Sequence, residues 1–247
     1  TVVTAQHYGA GNQKAMRRSV ASAAVLSAVV SVVLTAVSMA MMEQILHWMN
    51  TPEDMYGQAY GYIMVICAGI VAQVLYNLLA SILRAIGDSK RPLYFLILAA
   101  FLNVVLDLLF IAGFHMGAEG AAYATVISQG VSGGLCLFYI YKKVPALHLH
   151  REDWRLDGDL VKWQVAIGFP MAFQYSITAI GTIVLQACLN TLGSVAAAGF
   201  AAASKIEQVV SQAYVALGTT MATYCAQNTG AGEKERLRKG FRSATWI

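Results

Sequence analysis

The chain has 247 residues, of which 57% are hydrophobic and 12% charged, and its formal net charge at pH 7 is +4. An average soluble domain carries about 25% charged residues, so this composition excludes an ordinary soluble protein and indicates a membrane protein. The four cysteines lie inside or at the ends of apolar segments, which argues against a disulfide framework or a CxxC metal site.

Six apolar segments are long enough to cross a bilayer, and they lie near residues 19–42, 58–82, 92–113, 118–141, 164–190 and 195–226. A hydrocarbon core about 30 Å thick requires about 20 helical residues. The segments are continuously apolar and lack the alternation of a barrel strand, so each is predicted to be a helix. The predicted fold class is therefore all-α integral membrane.

An internal repeat brackets these six segments. Gln6-His7-Tyr8-Gly9-Ala10-Gly11 leads into a basic stretch, and Gln227-Asn228-Thr229-Gly230-Ala231-Gly232 does the same near the other end. Six crossings between the copies return the chain to the same side of the membrane, so the repeat is parallel. Parallel repeats of this size are typical of secondary transporters. We therefore predict a two-lobed, twelve-helix secondary transporter fold, of which this chain is a truncated fragment with six full transmembrane helices.

The chain contains a larger part of the predicted N-terminal lobe than of the predicted C-terminal lobe. Residues 1–141 form an N-terminal lobe without its first helix and most of its second, and residues 164–247 form the first two helices of a C-terminal lobe. Residues 142–163 between them are the longest connection and mix acidic with basic side chains. We expect this segment to be a cytoplasmic linker.

The basic residues indicate the orientation. Of the 17 Lys and Arg, 16 lie in loops or segment ends on one side, and the opposite loops near 43–57, 114–117 and 190–194 hold none. By the positive-inside rule the basic side is cytoplasmic, which predicts a multi-pass protein of the plasma (inner) membrane. Attraction to anionic lipid headgroups accounts for these charges, so no nucleic-acid partner is implied.

Asp107 is the clearest ionisable residue inside a predicted membrane segment. A charged carboxylate there costs at least about 2.5–3.5 kcal/mol, so it must face a cavity, find a partner or hold a proton. Asn103 lies one helical turn earlier on the same face. Together they offer oxygen ligands for Na⁺ or a carboxyl group suited to proton exchange. The alternative is a structural Asp107 that is hydrogen-bonded to a neighbouring helix.

Two further polar residues could approach Asp107 if their helices adjoin the third segment. They are Asn77 in the second segment and Thr125 in the fourth. Taken singly, either one has a second interpretation, because membrane Asn and Thr side chains often make ordinary hydrogen bonds between helices or to the backbone.

The fifth and sixth segments each carry a polar stripe that would suit the wall of a water-filled cavity. The substrate-cavity candidates are Gln174, Thr178, Thr182, Gln186, Lys205 and Gln208. Lys205 either lies in the cavity or extends its amine to the membrane surface. The histidines lie in loops or at segment ends without a matching ligand set, so we predict no metal site and no catalytic residue.

Three stretches resemble the multidrug and toxic compound extrusion (MATE) transporters. They are YNLLASILRAIGDSKRP at 76–92, followed by the Asn103/Asp107 segment, and GAAYATVISQ at 120–129. The resemblance covers essentially the whole chain, from the end of the second family helix to the loop before the ninth. It implies a twelve-helix, two-lobed antiporter that exports cationic or amphipathic compounds in exchange for H⁺ or Na⁺.

The resemblance also implies roles for single residues. In the family, residues on the fourth, fifth and sixth helices help to form an ion site in the N-terminal lobe, and they match Asn77, Asn103, Asp107 and Thr125. Many members take another Asp from the first helix, which this chain does not contain. Some rely on an acid in the seventh helix, and residues 171–178 have none. The resemblance therefore favours coupling through Asp107.

The same resemblance implies no cofactor beyond the coupling ion, organic cations or amphipathic drugs as substrates, contact with membrane lipids, and a monomer at full length. Two alternatives stay open. A lipid-linked oligosaccharide flippase would use a similar architecture but predicts a more basic central cavity, and Lys205 is the one basic residue found within a predicted segment. An intramembrane enzyme would need a catalytic pair or a metal set at membrane depth.

Overall fold

The computed structural model describes residues 1–48, 53–155, 157–191 and 194–246. The α-helices are α1 (Val2–Gly9), α2 (Gln13–Ala40), α3 (Met42–Trp48), α4 (Glu53–Ala68), α5 (Ile70–Ala85), α6 (Lys90–Asp107), α7 (Gly117–Lys143), α8 (Gly158–Thr191), α9 (Ser194–Gly230) and α10 (Lys234–Thr245). A π-helical segment, Leu108–Gly113, continues α6, and short 3₁₀ turns cover Pro145–Leu147 and Arg151–Trp154. The described residues contain no strand, and the predicted all-α class is confirmed.

Within the described residues, four helices are long and apolar enough to cross a membrane. They are α2, α6 with its π segment, α7, and α8 as far as Gln186. A fifth span is formed if α4 and α5, which are bent by 40° relative to each other, count as one. The sixth predicted segment lies in α9, which has 37 residues but is not among these spans. Its polar side chains, such as Lys205, Glu207 and Gln208, lower its hydropathy. The predicted loops at 43–57 and 190–194 lie partly outside the described residues.

The first compact unit comprises Gln13–Leu156, and α7 is its centre. Helices α4, α5 and α6 all pack against α7, and α2 packs against α5. Met16, Leu83 and Cys136 are buried where α2, α5 and α7 meet. The helices α5 and α7 are in van der Waals contact at Gly133, where an added Cβ atom would lie 3.4 Å from the backbone nitrogen of Tyr76.

The second compact unit comprises Val2–Asn12 and Asp157–Ile247. Helix α9 contacts α1, α8 and α10. None of the 18 residues in the most apolar stretch of α8 is buried, and large apolar side chains such as Phe169 and Ile183 are exposed, as suits a helix surrounded by hydrocarbon. Helix α1, which the sequence places in the N-terminal lobe, packs against α9 in this unit. The two units divide inside the predicted linker, and the lobe boundaries stay a prediction.

The two copies of the repeat end in the same backbone geometry. In the first copy Ala10 N–H donates to the Gln6 carbonyl and Gly11 has a φ of +69°; in the second Ala231 N–H donates to the Gln227 carbonyl and Gly232 has a φ of +72°. A left-handed residue just after a helix is the usual C-terminal stop, and glycine adopts it without steric cost. The repeat predicted from sequence is therefore also a structural repeat.

The two copies of the repeat, at the ends of α1 and α9, pack against each other at their glycines. A Cβ atom added at Gly9 would clash with the backbone carbonyl of Gln227, and one added at Gly230 would clash with the backbone carbonyl of Gln6. Gly9 corresponds to Gly230 in the repeat, and Gln6 to Gln227. The contact is thus reciprocal, like the two-fold interface of a homodimer, and it brings backbone against backbone, as small residues do in membrane helix pairs.

The linker is fastened to the start of α2 by a buried ion pair. Asp153 lies in the 3₁₀ turn and is 3% exposed, and its Oδ2 accepts hydrogen bonds from Arg17 Nε at 3.0 Å and from the His150 backbone N–H at 2.9 Å. Burial alone would raise the pKa of the Asp153 carboxyl, but the His150 N–H and the Arg17 guanidinium outweigh it and lower this pKa. The pair is therefore formed with a charged carboxylate.

Replacing Arg17 with glutamine is expected to lower the free energy of unfolding by about 0.5–1.5 kcal/mol, since the arginine is partly exposed and water screens the pair. A lowered pKa stabilises the fold above the unfolded-state pKa, and the contribution is lost as pH falls through the folded-state pKa. The difference between wild type and Arg17→Gln should therefore shrink below the ordinary Asp pKa of 3.8. Thermal unfolding as a function of pH measures this, with the exposed Lys14→Gln as the matched control. A pH-independent difference would contradict the ion pair.

Candidate functional site

Asp107 lies at a change of helix type. It is the last residue of α6, and the π segment Leu108–Gly113 begins directly after it. In this segment the Phe114 N–H donates to the Leu109 carbonyl five residues back, at 2.9 Å. Such π turns are rare and frequently occur at functional sites. The sequence reasoning missed this segment, because its apolar composition, LLFIAG, is that of an ordinary membrane helix.

The carboxylate of Asp107 is the least satisfied group of the candidate site. Its side chain is half-buried, and its Oδ1 atom is buried with no hydrogen-bond partner among the described residues. The interpretation of Asp107 as a structural residue requires a hydrogen bond to a neighbouring helix, and no such bond to Oδ1 is present in the described part of the chain. An orphaned carboxylate oxygen is costly in an apolar medium unless a proton or a cation satisfies it.

Asn103 and Thr125 are brought together across α6 and α7. Asn103 Nδ2 donates to Thr125 Oγ1 at 3.5 Å, which is at the long end for a hydrogen bond. Thr125 in turn donates its single hydroxyl proton to the Ala121 carbonyl at 2.9 Å. The Thr125 oxygen can therefore only accept, either from Asn103 or from a cation. The sequence predicts that Thr125 approaches Asp107; the structure gives Thr125 a contact with Asn103, one helical turn before Asp107, and its part in an ion site stays a prediction.

Asn77 is held elsewhere. Its Nδ2 donates to the Gln73 carbonyl of its own helix at 2.9 Å. The neighbouring residue Tyr76 packs against Gly133 of α7. Gly133 is about 12 Å further along α7 than Thr125, at 1.5 Å of rise per residue. The described contacts therefore do not join Asn77 to the Asn103–Thr125 pair, and its part in an ion site stays a prediction.

Two further polar side chains lie on α7 between Thr125 and Gly133. The sequence reasoning missed them. Gln129 Oε1 and Ser132 Oγ are both buried without a hydrogen-bond partner among the described residues. They follow Thr125 at steps of four and three residues, which places all three on one face of the helix. That spacing was the available signal. These two oxygen atoms lie along α7 between the position of Thr125, which contacts Asn103, and the position of Gly133, which contacts the neighbour of Asn77.

The chemistry of this set is that of a site for a small hard cation or a proton. It combines one carboxylate with neutral amide and hydroxyl oxygens, which suit Na⁺ as they suit other hard cations. No group of three or more His, Cys, Asp or Glu in the described ranges could hold a metal ion.

The polar stripes of α8 and α9 are exposed in the second unit. Thr178 donates to the Gln174 carbonyl at 2.9 Å and Thr182 to the Thr178 carbonyl at 3.0 Å, so these hydroxyls turn back on their own helix. Gln186, Lys205 and Gln208 are also exposed. Ser211 on α9 donates to Glu207 Oε1 at 3.3 Å, which places an acid beside the stripe. Whether the six candidates line a substrate cavity stays a prediction.

Comparisons with known proteins extend over the whole chain. The sequence model of the MatE family matches residues 1–109 and 170–247. The "Probable multidrug resistance protein YpnP" of Bacillus subtilis (strain 168) is 31% identical over 95% of this chain and 52% of its own length. The "FAD transporter" of Shewanella oneidensis is 27% identical over 94% of this chain and 52% of its own length.

A solved structure shows the same fold. A crystal structure of MATE in the bent conformation matches with a TM-score of 0.89 and 23% identity, over 98% of this chain and 55% of that chain. At this identity the match concerns the fold alone. The chain spans about half the length of the relatives that it matches.

Proposed function

This chain belongs to the MatE family of multidrug efflux transporters, and from that premise we propose that its full-length gene product is an antiporter that exports cationic or amphipathic compounds in exchange for H⁺ or Na⁺. The family membership confirms the resemblance read from the sequence. It identifies a membrane transporter rather than an enzyme, and it does not favour the flippase alternative.

The observation that carries the proposal is the Oδ1 of Asp107, which has no hydrogen-bond partner among the described residues and lies one helical turn from the Asn103–Thr125 contact. A carboxylate that lacks a protein partner gains most from a bound proton or Na⁺, because either one removes its cost in an apolar medium. The ion and the drug need not share a site. It is enough that each binds the two facing states of the transporter with different affinity.

The π segment offers a way for ion binding to change the helix. A π turn is a poorer arrangement than an α turn and is held in place by its surroundings. Neutralising Asp107, the residue directly before the π segment, alters the balance between α6 and this segment, and α7 packs against both. The proposed consequence is a shift in the packing of α6 on α7 that accompanies substrate release.

Substrate class is proposed from the relatives and from the charge of α9. The family name and the Bacillus relative point to multidrug export. Glu207 and Lys205 supply charges of both signs on α9, so a cationic compound has an acid to approach. The Shewanella relative is named for the anion FAD, which makes FAD the sharpest alternative substrate to test.

The test uses the full-length gene product in liposomes loaded with a fluorescent organic cation or, separately, with FAD. A pH gradient and a Na⁺ gradient are imposed one at a time, and protein-free liposomes and ionophore-collapsed gradients serve as controls. We expect efflux of the cation under one of the two gradients, which identifies the coupling ion. Efflux of FAD alone would overturn the substrate class, and efflux that ignores both gradients would overturn antiport.

The proposed orientation places the basic loops in the cytoplasm of a cell bounded by this inner membrane, with the protein as a monomer. The charge distribution supports this orientation, because 16 of 17 basic residues fall on one side of the predicted spans.

A further inference from the structure

A pocket of about 640 Å³ lies beside the crossing of α1 and α9 in the second unit. Its cationic wall is formed by Arg236 and Lys239 of α10, and Tyr8, Tyr224 and Asn228 complete it. None of the described residues that line it is an Asp or a Glu. Two cations without a lining carboxylate make this pocket a site for an anion.

The pocket is built by specific contacts. Tyr224 donates its hydroxyl proton to the Arg236 carbonyl at 2.8 Å, which fixes α10 on α9. A Cβ atom added at Gly240 would clash with the Tyr224 ring, so the glycine lets α10 lie directly on that ring. Asn228 is 8% exposed and donates one amide proton to the Tyr224 carbonyl at 2.8 Å, and its second amide proton is left for a ligand.

The pocket is not a product of the internal repeat. In the first copy, Val3 occupies the position of Tyr224 and Ala15 the position of Arg236. The first copy keeps a cation at one of the two positions, since Arg18 corresponds to Lys239, but it has neither the aromatic ring nor the second cation. Repeated packing alone would not require this difference, whereas a ligand that binds on one side would.

We propose that this pocket binds a phosphate group, held by Arg236 and Lys239 with further hydrogen bonds from Asn228 and Tyr8. Arginine and lysine are the side chains that bind phosphate oxygens in proteins, arginine through its planar fork and lysine as a point charge. The source that the location favours is the headgroup of an anionic phospholipid, because the pocket lies at the basic end of an apolar helix. A soluble phosphate compound shares this chemistry and is the second source to be tested.

Binding depends on the crossing. Tyr8 and Gly9 reach the pocket from α1, while the cations come from α10 across α9. A bound phosphate group therefore favours the arrangement in which the two copies of the repeat touch, and a change that separates α1 from α9 weakens binding even when both cations remain.

Titration calorimetry on the full-length protein in neutral detergent tests the site. The probes are dioctanoyl phosphatidylglycerol, dioctanoyl phosphatidylcholine and inorganic phosphate. Each cation near a headgroup contributes about fivefold in affinity, so Arg236→Gln/Lys239→Gln is expected to weaken phosphatidylglycerol binding by about 25-fold. The matched control is Arg238→Gln/Arg242→Gln, which removes the same charge from other positions on α10 and should change the affinity by less than about twofold. All four side chains are exposed, so folding is preserved.

The outcomes separate the sources. Binding of phosphatidylglycerol without competition by inorganic phosphate supports a lipid headgroup, and competition by inorganic phosphate at low concentration supports a soluble phosphate compound. Equal losses in the two double variants would overturn the site, because they would indicate nonspecific attraction. Gly9→Val should also lose affinity, and an unchanged affinity in this variant would overturn the dependence on the crossing.

Discussion

Asp107→Asn is expected to remove ion-driven efflux while leaving insertion in the membrane unchanged. The amide keeps the shape of the side chain but can neither release a proton nor offer a charged oxygen to Na⁺. Because the gradient acts through this group, the efflux rate of the variant should fall to the rate that is seen without a gradient. The measurement is transport of the fluorescent cation into medium with the effective gradient, at equal amounts of inserted protein.

Two further variants make this result specific. Asp159→Asn removes the same charge from an exposed position in the first turn of α8 and should transport like wild type. Asp107→Glu keeps a carboxylate and should retain part of the gradient dependence. Wild-type efflux in Asp107→Asn would reject the assignment of the coupling site to this residue, and a loss of inserted protein in that variant would point to the structural interpretation.

Gly9→Ala and Gly230→Ala are expected to destabilise the crossing of α1 and α9. Each new methyl group would overlap a backbone carbonyl of the partner helix, and a backbone cannot move aside as a flexible side chain can. Overpacking of this kind costs about 1–3 kcal/mol. The measurement is the thermal unfolding temperature of the full-length protein in detergent, which should fall by about 2–4 °C for each kcal/mol.

The matched control is Gly218→Ala, in the same helix α9. No atom of the described residues lies within 4 Å of a Cβ atom added there. This change should be neutral or stabilising by up to about 1 kcal/mol, because alanine favours the helix. The double variant Gly9→Ala/Gly230→Ala should cost less than the sum of the two single variants, since one methyl group already separates the helices. Strict additivity would indicate that the two contacts are independent, and an unchanged unfolding temperature would contradict the close approach.

Much of the candidate site could be predicted from the sequence, but its geometry could not. Asp107 stood out because a carboxylate within an apolar run is costly wherever the run lies. The sequence predicted that Thr125 could approach Asp107 if their helices adjoin; the structure places the two helices side by side and supplies a contact of Thr125 with Asn103. The sequence placed Asn77 in the same set, whereas the structure gives it a hydrogen bond to its own helix. The sequence of one helix does not determine how far along a neighbouring helix its residues make contact.

The fold shows the same division. The apolar runs are local features of composition, so they revealed the all-α membrane class and the approximate limits of the spans. They did not reveal the bend between α4 and α5 or the π segment after Asp107. Both depend on which neighbours each helix packs against. Hydropathy also misses structure that is present. Helix α9 is continuous over 37 residues, although its polar stripe interrupts its apolar character.

By itself, the sequence determined that this protein is a helical membrane protein with an internal repeat, and that it carries one acid deep in an apolar segment. These properties rest on hydropathy, residue order and the cost of burying charge, which act along the chain. Only the tertiary structure decided that the repeats cross glycine against carbonyl, that Asp107 Oδ1 has no hydrogen-bond partner among the described residues, and that a cationic pocket forms beside the crossing. These features arise from the rotation and register of helices far apart in the chain, which short-range patterns leave open.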